Sequence, residues 1–159
     1  MSNEYKPKIN DLIEKYANLM MRYAYSYCKN RVDAEDIIQE VFVKYLKRLP
    51  TFKNDTHEKA WFLRVTINTS KDYINSFWYR KTEAISENIT VEVQSNLNIW
   101  DEVMKLPQKY RIVILLYYQE GYSVKEISSI LKIRESTIST QLSRARELLK
   151  TMNKEDFYG

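Results

Sequence analysis

The segment from Gly121 to Arg146 constrains this chain more than any other. It opens Ser123-Val124-Lys125-Glu126, and Ser123 with Glu126 fits the reciprocal capping box that starts a helix. Ile127, Ile130 and Leu131 give that helix one apolar stripe. A tight turn is expected at Lys132 and Ile133. The next helix is expected to bury Ile138, Leu142, Ala145 and Leu149 and to turn Ser139, Thr140, Ser143, Arg144 and Arg146 outward. Two short helices joined in this way make a helix-turn-helix. Short polar side chains and arginines on the outer face of its second helix suit base edges and phosphates in a major groove.

Composition sets the fold class. Two glycines, three prolines and 44% apolar residues in 159 point to an all-α protein of two small helical domains. The longest apolar run, Ile112 to Tyr118, is far short of the roughly 20 residues a membrane-spanning helix needs. No membrane insertion is therefore expected, and the polar, mixed-charge N-terminus does not read as a signal peptide. Cys28 is the single cysteine, so no internal disulfide forms, which fits a reducing cytoplasm; its place among apolar residues reads as a buried structural thiol. With one cysteine and one histidine, His57, far apart in sequence, no metal site is expected, and so few glycines leave no phosphate-cradling loop. No cofactor is expected, and no catalysis.

Charge divides the chain. Residues 1–81 carry fifteen basic and ten acidic side chains, residues 82–100 carry Glu83, Glu87 and Glu92 with no base, and residues 101–152 carry nine basic against six acidic. Two basic blocks thus flank an acidic connector, and basic blocks suit polyanions through counterion release, although many soluble domains carry charges of this size. Helical periodicity agrees with the division. Leu12, Tyr16, Leu19, Tyr23 and Tyr27 predict a helix over about 10–28. Asp33 is expected to cap a second helix, whose apolar series Ile37, Ile38, Val41, Phe42, Tyr45, Leu46 and Leu49 runs to the terminating Pro50. A third is predicted over about 57–79, opened by His57 as a surface or capping residue. The expected domains are residues 1–81, a flexible acidic linker at 82–98, a helix-turn-helix bundle at 99–153 that includes a helix near 108–120, and a tail at 154–159.

Two further clusters bear on function. Asp33, Glu35, Asp36, Gln39 and Glu40 crowd the start of the second helix, where carboxylates favour the helix dipole; their outer face also suits a basic partner. No histidine or lysine stands opposite them as an acid–base partner. In the third helix, Trp61, Phe62, Tyr73, Phe77 and Trp78 alternate with Lys59, Arg64, Lys71, Arg80 and Lys81, against Asp72 alone. Aromatics at this spacing are commonly core. Interleaved with bases, they also suit single-stranded DNA, where stacking contributes roughly 1–3 kcal/mol per base.

Taken in order, Asn30-Arg31-Val32-Asp33-Ala34-Glu35-Asp36-Ile37-Ile38-Gln39-Glu40-Val41-Phe42, then Ala60-Trp61-Phe62-Leu63-Arg64-Val65-Thr66-Ile67-Asn68-Thr69-Ser70-Lys71-Asp72-Tyr73, then the helix-turn-helix, resemble the extracytoplasmic-function class of sigma-70-type sigma factors. The resemblance spans about residues 19–152. It implies an alternative sigma factor that binds bacterial core RNA polymerase, recognises −35 and −10 promoter elements and promotes strand opening. It assigns Asp33, Glu35, Asp36, Gln39 and Glu40 to the polymerase. It assigns Trp61, Arg64, Asn68, Lys71, Asp72, Arg80 and Lys81 to the −10 element, with Asn68 at a pocket for a flipped base. Ser136, Thr137, Ser139, Thr140, Ser143, Arg144 and Arg146 fall to the −35 element. An anti-sigma factor is a further implied partner.

Two departures stand out. The family usually has glycine where this chain has Lys132, which predicts a strained or differently shaped turn. It often has a basic residue where this chain has Ser139, which predicts weaker duplex binding. Two rival readings remain: a helix-turn-helix regulator whose N-terminal half is a sensor or dimerisation bundle, and a polymerase-binding adaptor that never melts promoters.

Overall fold

A computed structural model describes the backbone of residues 2–76 and 98–158, and the side chains of residues 8–76 and 100–152. Every regular element among the described residues is helical, and the chain divides into two compact units, residues 1–91 and 92–159.

Among the described residues, the first unit packs three helices, α1 (Ser2–Cys28), α2 (Arg31–Arg48) and α3 (Asp55–Asn75), each against the other two. From α1, Leu12, Tyr16, Met20, Tyr23, Ala24, Tyr27 and Cys28 are buried, the three- and four-residue spacing that puts side chains on one helical face. α2 adds Ala34, Ile37, Val41, Phe42 and Tyr45. Phe62 of α3 is the hub. It is fully buried, stacks on Tyr16 at 4.7 Å between ring centres, meets Trp61 edge-on at 5.0 Å, and touches Phe42, Tyr45 and Phe52.

The helix starts correct one expectation and decide between the two alternatives for His57, which is a surface residue. Asn30, not Asp33, caps α2: its side chain accepts a hydrogen bond from the Asp33 backbone N at 2.8 Å, so Asp33 lies inside the first turn. Asn54, not His57, caps α3 in the same way, accepting from the His57 backbone N at 2.8 Å. Both true caps sit three residues ahead of the polar residue whose amide they hold. Exposed His57 accepts from the Lys53 backbone N through Nδ1. Leu49 ends α2 in the left-handed conformation, its N–H bonded to the Tyr45 carbonyl, and stands 46% exposed. Cys28 is buried as expected, and burial pushes its thiol up to about 11.

The second unit comprises α4 (Asn98–Met104), α5 (Gln108–Ile114), α6 (Val124–Leu131) and α7 (Glu135–Tyr158). α5 continues as a π-helical turn, Leu115–Gln119, and stops before Gly121 at φ +74°. A Cβ at Gly121 would meet nothing within 4 Å, so backbone conformation rather than space favours glycine there. Val103, Leu106, Tyr110, Val113, Leu116, Ile127, Ile138, Leu142 and Ala145 form the core. The guanidinium of buried Arg111 donates to the Leu106 carbonyl at 3.0 Å, satisfying a backbone acceptor beyond the end of α4.

Residues 82–97 of the expected linker and the expected continuation of the third helix through residue 79 lie outside the described residues; Asn98 already belongs to α4. The expected tail at 154–159 is helical through Tyr158, because α7 runs on without a break. Leu149 is half-buried rather than buried.

Candidate nucleic-acid interface

The outer face of α2 is acidic with an apolar seam. Glu35, Asp36, Gln39 and Glu40 are exposed, with Arg31 pairing Glu35 at 3.2 Å and Lys44 3.9 Å from Glu40. Such exposed pairs add little stability, so these carboxylates remain available to a partner. Asp33 differs. It is half-buried, takes a hydrogen bond from the Asn30 side-chain amide, and accepts another from the Tyr73 hydroxyl of α3 at 2.7 Å. Burial first, and then that bond to Asp33, push the Tyr73 hydroxyl above its usual range.

Val32, Val43 and Leu46 stand 70%, 47% and 46% exposed on α2. With Asp36 and Gln39 they follow a 32, 36, 39, 43, 46 spacing, the seven-residue repeat of a helix–helix seam. Val32 and Val43 carry no role in the sequence reading, and Leu46 belongs there to the inward apolar series. The heptad was the signal that could have found them.

On α3, Arg64 and Lys71 are half-buried and Asn68 and Asp72 are exposed. Positions 64, 68, 71 and 72 share one helical face. The rest of the same stretch is occupied: Phe62, Leu63, Thr66, Ile67, Thr69 and Ser70 are all buried. Trp61, expected to face DNA, is 7% exposed and packs edge-on against Tyr45, Phe52 and Phe62, so its ring serves the core. Arg80 and Lys81 lie outside the described residues.

The helix-turn-helix forms as its sequence dictates. The Glu126 backbone N donates to Ser123 Oγ and the Ser123 backbone N donates to Glu126 Oε1, both at 3.1 Å. The turn keeps the left-handed shape without glycine: Lys132 holds φ +55° and ψ +45°, its N–H bonded to the Ser128 carbonyl. Ser128 Oγ also donates to the Ile133 carbonyl at 2.5 Å, tying the turn from its far side. On α7, Ser136, Thr137, Ser139, Thr140, Ser143, Arg144 and Arg146 are all exposed. Thr140 Oγ1 donates to the Ser136 carbonyl one turn back. Arg146 is committed within the fold: its Nε donates to the Tyr118 hydroxyl at 2.6 Å, and its guanidinium lies 5.4 and 5.6 Å from the Tyr117 and Tyr118 ring centres.

Comparison with known proteins assigns both units. Residues 12–78 match the family model for sigma-70 region 2, and residues 96–149 match that for sigma-70 region 4. The RNA polymerase sigma factor SigV of Bacillus subtilis is 30% identical over 144 residues, spanning 85% of this chain and 85% of that protein. The chain belongs to the extracytoplasmic-function sigma factors of the sigma-70 family. SigW of Bacillus subtilis, an ECF RNA polymerase sigma factor, is 28% identical over 160 residues, 88% of this sigma factor and 86% of that one.

Two solved structures share the fold. The sigma factor RpoE of Bartonella quintana, crystallised with the anti-sigma factor NepR, superposes with a TM-score of 0.69 at 18% identity, covering 92% of this chain and 97% of that one. CnrH, solved with the cytosolic domain of CnrY, gives 0.65 at 23% identity over 93% and 88%. Among the described residues, no helix of the sigma factor is long and apolar enough to cross a membrane, and no group of histidine, cysteine or carboxylate side chains could hold a metal ion.

Proposed function

We propose that this sigma factor docks on core RNA polymerase through the outer face of α2, reads the −35 element with α7 and holds the unpaired −10 strand with α3. Glu35, Asp36, Gln39 and Glu40 are the proposed polymerase contacts, set around the apolar seam of Val32, Val43 and Leu46. The observation that carries this reading is the division of surfaces in the first unit. An exposed acidic–apolar seam on α2 suits a basic helix, while Arg64, Asn68, Lys71 and Asp72 line a separate strip on the helix packed beside it.

The proposed mechanism is positional, with no bond made or broken by the protein. Pulling a base out of the stack costs a few kcal/mol, and a pocket that binds the extruded base offsets that cost. The Asn68 amide can both donate and accept at a Watson–Crick edge. Arg80 and Lys81, which follow α3 in the sequence, are further proposed contacts to the strand through their positive charge. On α7, Arg144 is the proposed base or phosphate fork, with Ser136, Thr137, Ser139, Thr140 and Ser143 around it. Arg146, held by Tyr117 and Tyr118, presents only its remaining N–H groups to a phosphate.

The sigma factor acts in the cytoplasm, where core polymerase is found. An anti-sigma factor is the proposed regulator, supported by the NepR complex of the RpoE relative. The test is co-elution of the full chain with core polymerase, followed by run-off transcription on genomic fragments. Co-elution and transcripts with one defined start are expected. A chain that neither co-elutes nor directs transcripts contradicts the proposal.

A further inference from the structure

Among the described residues, the Lys44 and Tyr73 side chains tie α2 to α3, and both ties reach α3 on one side. The Lys44 ammonium donates to Thr69 Oγ1 at 2.9 Å, and the Tyr73 hydroxyl donates to Asp33 Oδ1 at 2.7 Å. Thr69 and Tyr73 are four residues apart and so lie one above the other on the helix. Asn68 and Asp72 are also four apart, one position earlier, and form the adjacent exposed row. Rotation of α3 about its axis moves both rows together, so whatever fixes 69 and 73 fixes where 68 and 72 point.

The ties begin in the acidic region of α2. Asp33 is held from its own helix by Asn30 and from α3 by Tyr73. Lys44 is shared between Thr69 and Glu40 of the outer face, 3.9 Å away. Thr69 is 1% exposed and Lys44 half-buried, so the acceptor end of the first bond is shielded from water. Apolar contacts between α2 and α3 supply adhesion without direction, whereas a hydrogen bond weakens steeply with angle and sets a rotational register. A merely adhesive role would need neither a cation nor a phenol at these two points.

We infer that Lys44 and Tyr73 are positioning residues for strand capture, setting the rotation of α3 so that Asn68 and Asp72 meet the melted strand at a fixed orientation to the polymerase-facing side of α2. The inference rests on the −10 role proposed for α3. It separates two jobs in one helix pair: Glu35, Asp36, Gln39 and Glu40 contact the partner, while Asp33 and Lys44 transmit the register of α2 to α3.

The test uses the full chain assembled with core polymerase and compares Lys44→Met, Lys44→Arg, Tyr73→Phe and Asn68→Ala, each alone, with Lys44→Met and Tyr73→Phe also combined with Asn68→Ala. Three quantities are read: affinity for core, affinity of the holoenzyme for a −10 single-stranded oligonucleotide, and affinity for duplex carrying the −35 element. Lys44→Met and Tyr73→Phe are expected to weaken single-strand binding about five- to tenfold, with core and duplex affinities held within about twofold. Lys44→Arg, which keeps a donor, is expected to restore most of the loss. Each double variant is expected to bind the strand no worse than about twofold below Asn68→Ala, because positioning residues act through the strip they position.

Unchanged strand affinity in Lys44→Met and Tyr73→Phe, alongside a damaged Asn68→Ala, overturns the positioning role alone. Losses that multiply fully with Asn68→Ala also overturn it. A core affinity that falls as far as strand affinity shows general damage to the unit and overturns it as well. Unchanged strand affinity in Asn68→Ala, with losses in the other two, instead overturns the pocket assigned to Asn68.

Discussion

The two helices proposed to meet DNA, α3 and α7, are built in opposite ways. α3 spends most of its circumference on the core. Between Trp61 and Ser70 it buries seven side chains and leaves a narrow strip at Arg64, Asn68, Lys71 and Asp72. α7 buries Ile138, Leu142 and Ala145 and offers a broad face of short hydroxyl side chains and arginines. A narrow strip on a clamped helix suits one base held in one orientation. A broad face suits many modest contacts that share the affinity. Damage to α3 should therefore be concentrated in a few positions and damage to α7 distributed.

The largest expected effect sharpens the contrast at the level of folding. Phe62→Ala removes the hub of the first unit and is expected to cost about 3–5 kcal/mol. Thermal or urea unfolding followed by amide hydrogen exchange should show that loss confined to residues 8–76, with the second unit unchanged. Equal destabilisation of both units would break the picture of two separate cores.

Alkaline titration separates the units next. Burial raises the Cys28 thiol from 9.0 to about 11, so the folded first unit favours the neutral thiol. Its stabilising contribution is complete below pH 9 and is lost as pH climbs from 9 to about 11, a loss of about 2–3 kcal/mol. Among the described residues of the second unit the raised group is Tyr122, shifted by burial from 10.0 to about 12, so its loss begins only above pH 10. Exchange measured across this range should show the first unit weakening first, and Cys28→Ala should remove that early phase. Simultaneous weakening, or a Cys28→Ala profile unchanged from the parent, would contradict the assignment.

On α7, Arg144→Ala is expected to weaken duplex −35 binding by about 1–3 kcal/mol while single-strand binding stays level. Competition binding with the two DNA forms checks both halves of that statement. The smallest effect is at the turn. Lys132→Gly relieves a side chain held at positive φ and is expected to stabilise the second unit by about 0.5–1 kcal/mol, read as a higher melting temperature. A lower one would show that Lys132 is held by contacts beyond its backbone.

The legibility of these features in the sequence followed how local their causes are. Ser123 and Glu126 satisfy each other within one turn, so the capping box could be read directly and is present. The stripe at Ile127, Ile130 and Leu131 is equally local. The start of α2 is not fixed by its sequence because Asn30 and Asp33 are both competent caps three residues apart, and only the backbone shows which one is extended. Trp61 reads as a DNA contact in the sequence because interleaved bases and aromatics look alike whether the ring faces in or out; contacts with Tyr45 and Phe52 from other segments decide it. Leu46 looked inward for a related reason. Period alone does not say that α1 and α3 cover only one side of α2, which leaves Val32, Val43 and Leu46 outside. The Lys44–Thr69 and Tyr73–Asp33 ties join residues 25 and 40 positions apart and carry no local pattern.

The most direct test of the division of labour is permanganate footprinting of unpaired thymines at a promoter, made with holoenzymes carrying the parent chain, Asn68→Ala or Arg144→Ala at matched promoter occupancy. The account predicts that Asn68→Ala occupies the promoter but loses reactivity across the −10 element, while Arg144→Ala needs more holoenzyme to reach occupancy and then melts as fully as the parent. Full melting by Asn68→Ala, or lost melting by fully bound Arg144→Ala, would contradict it.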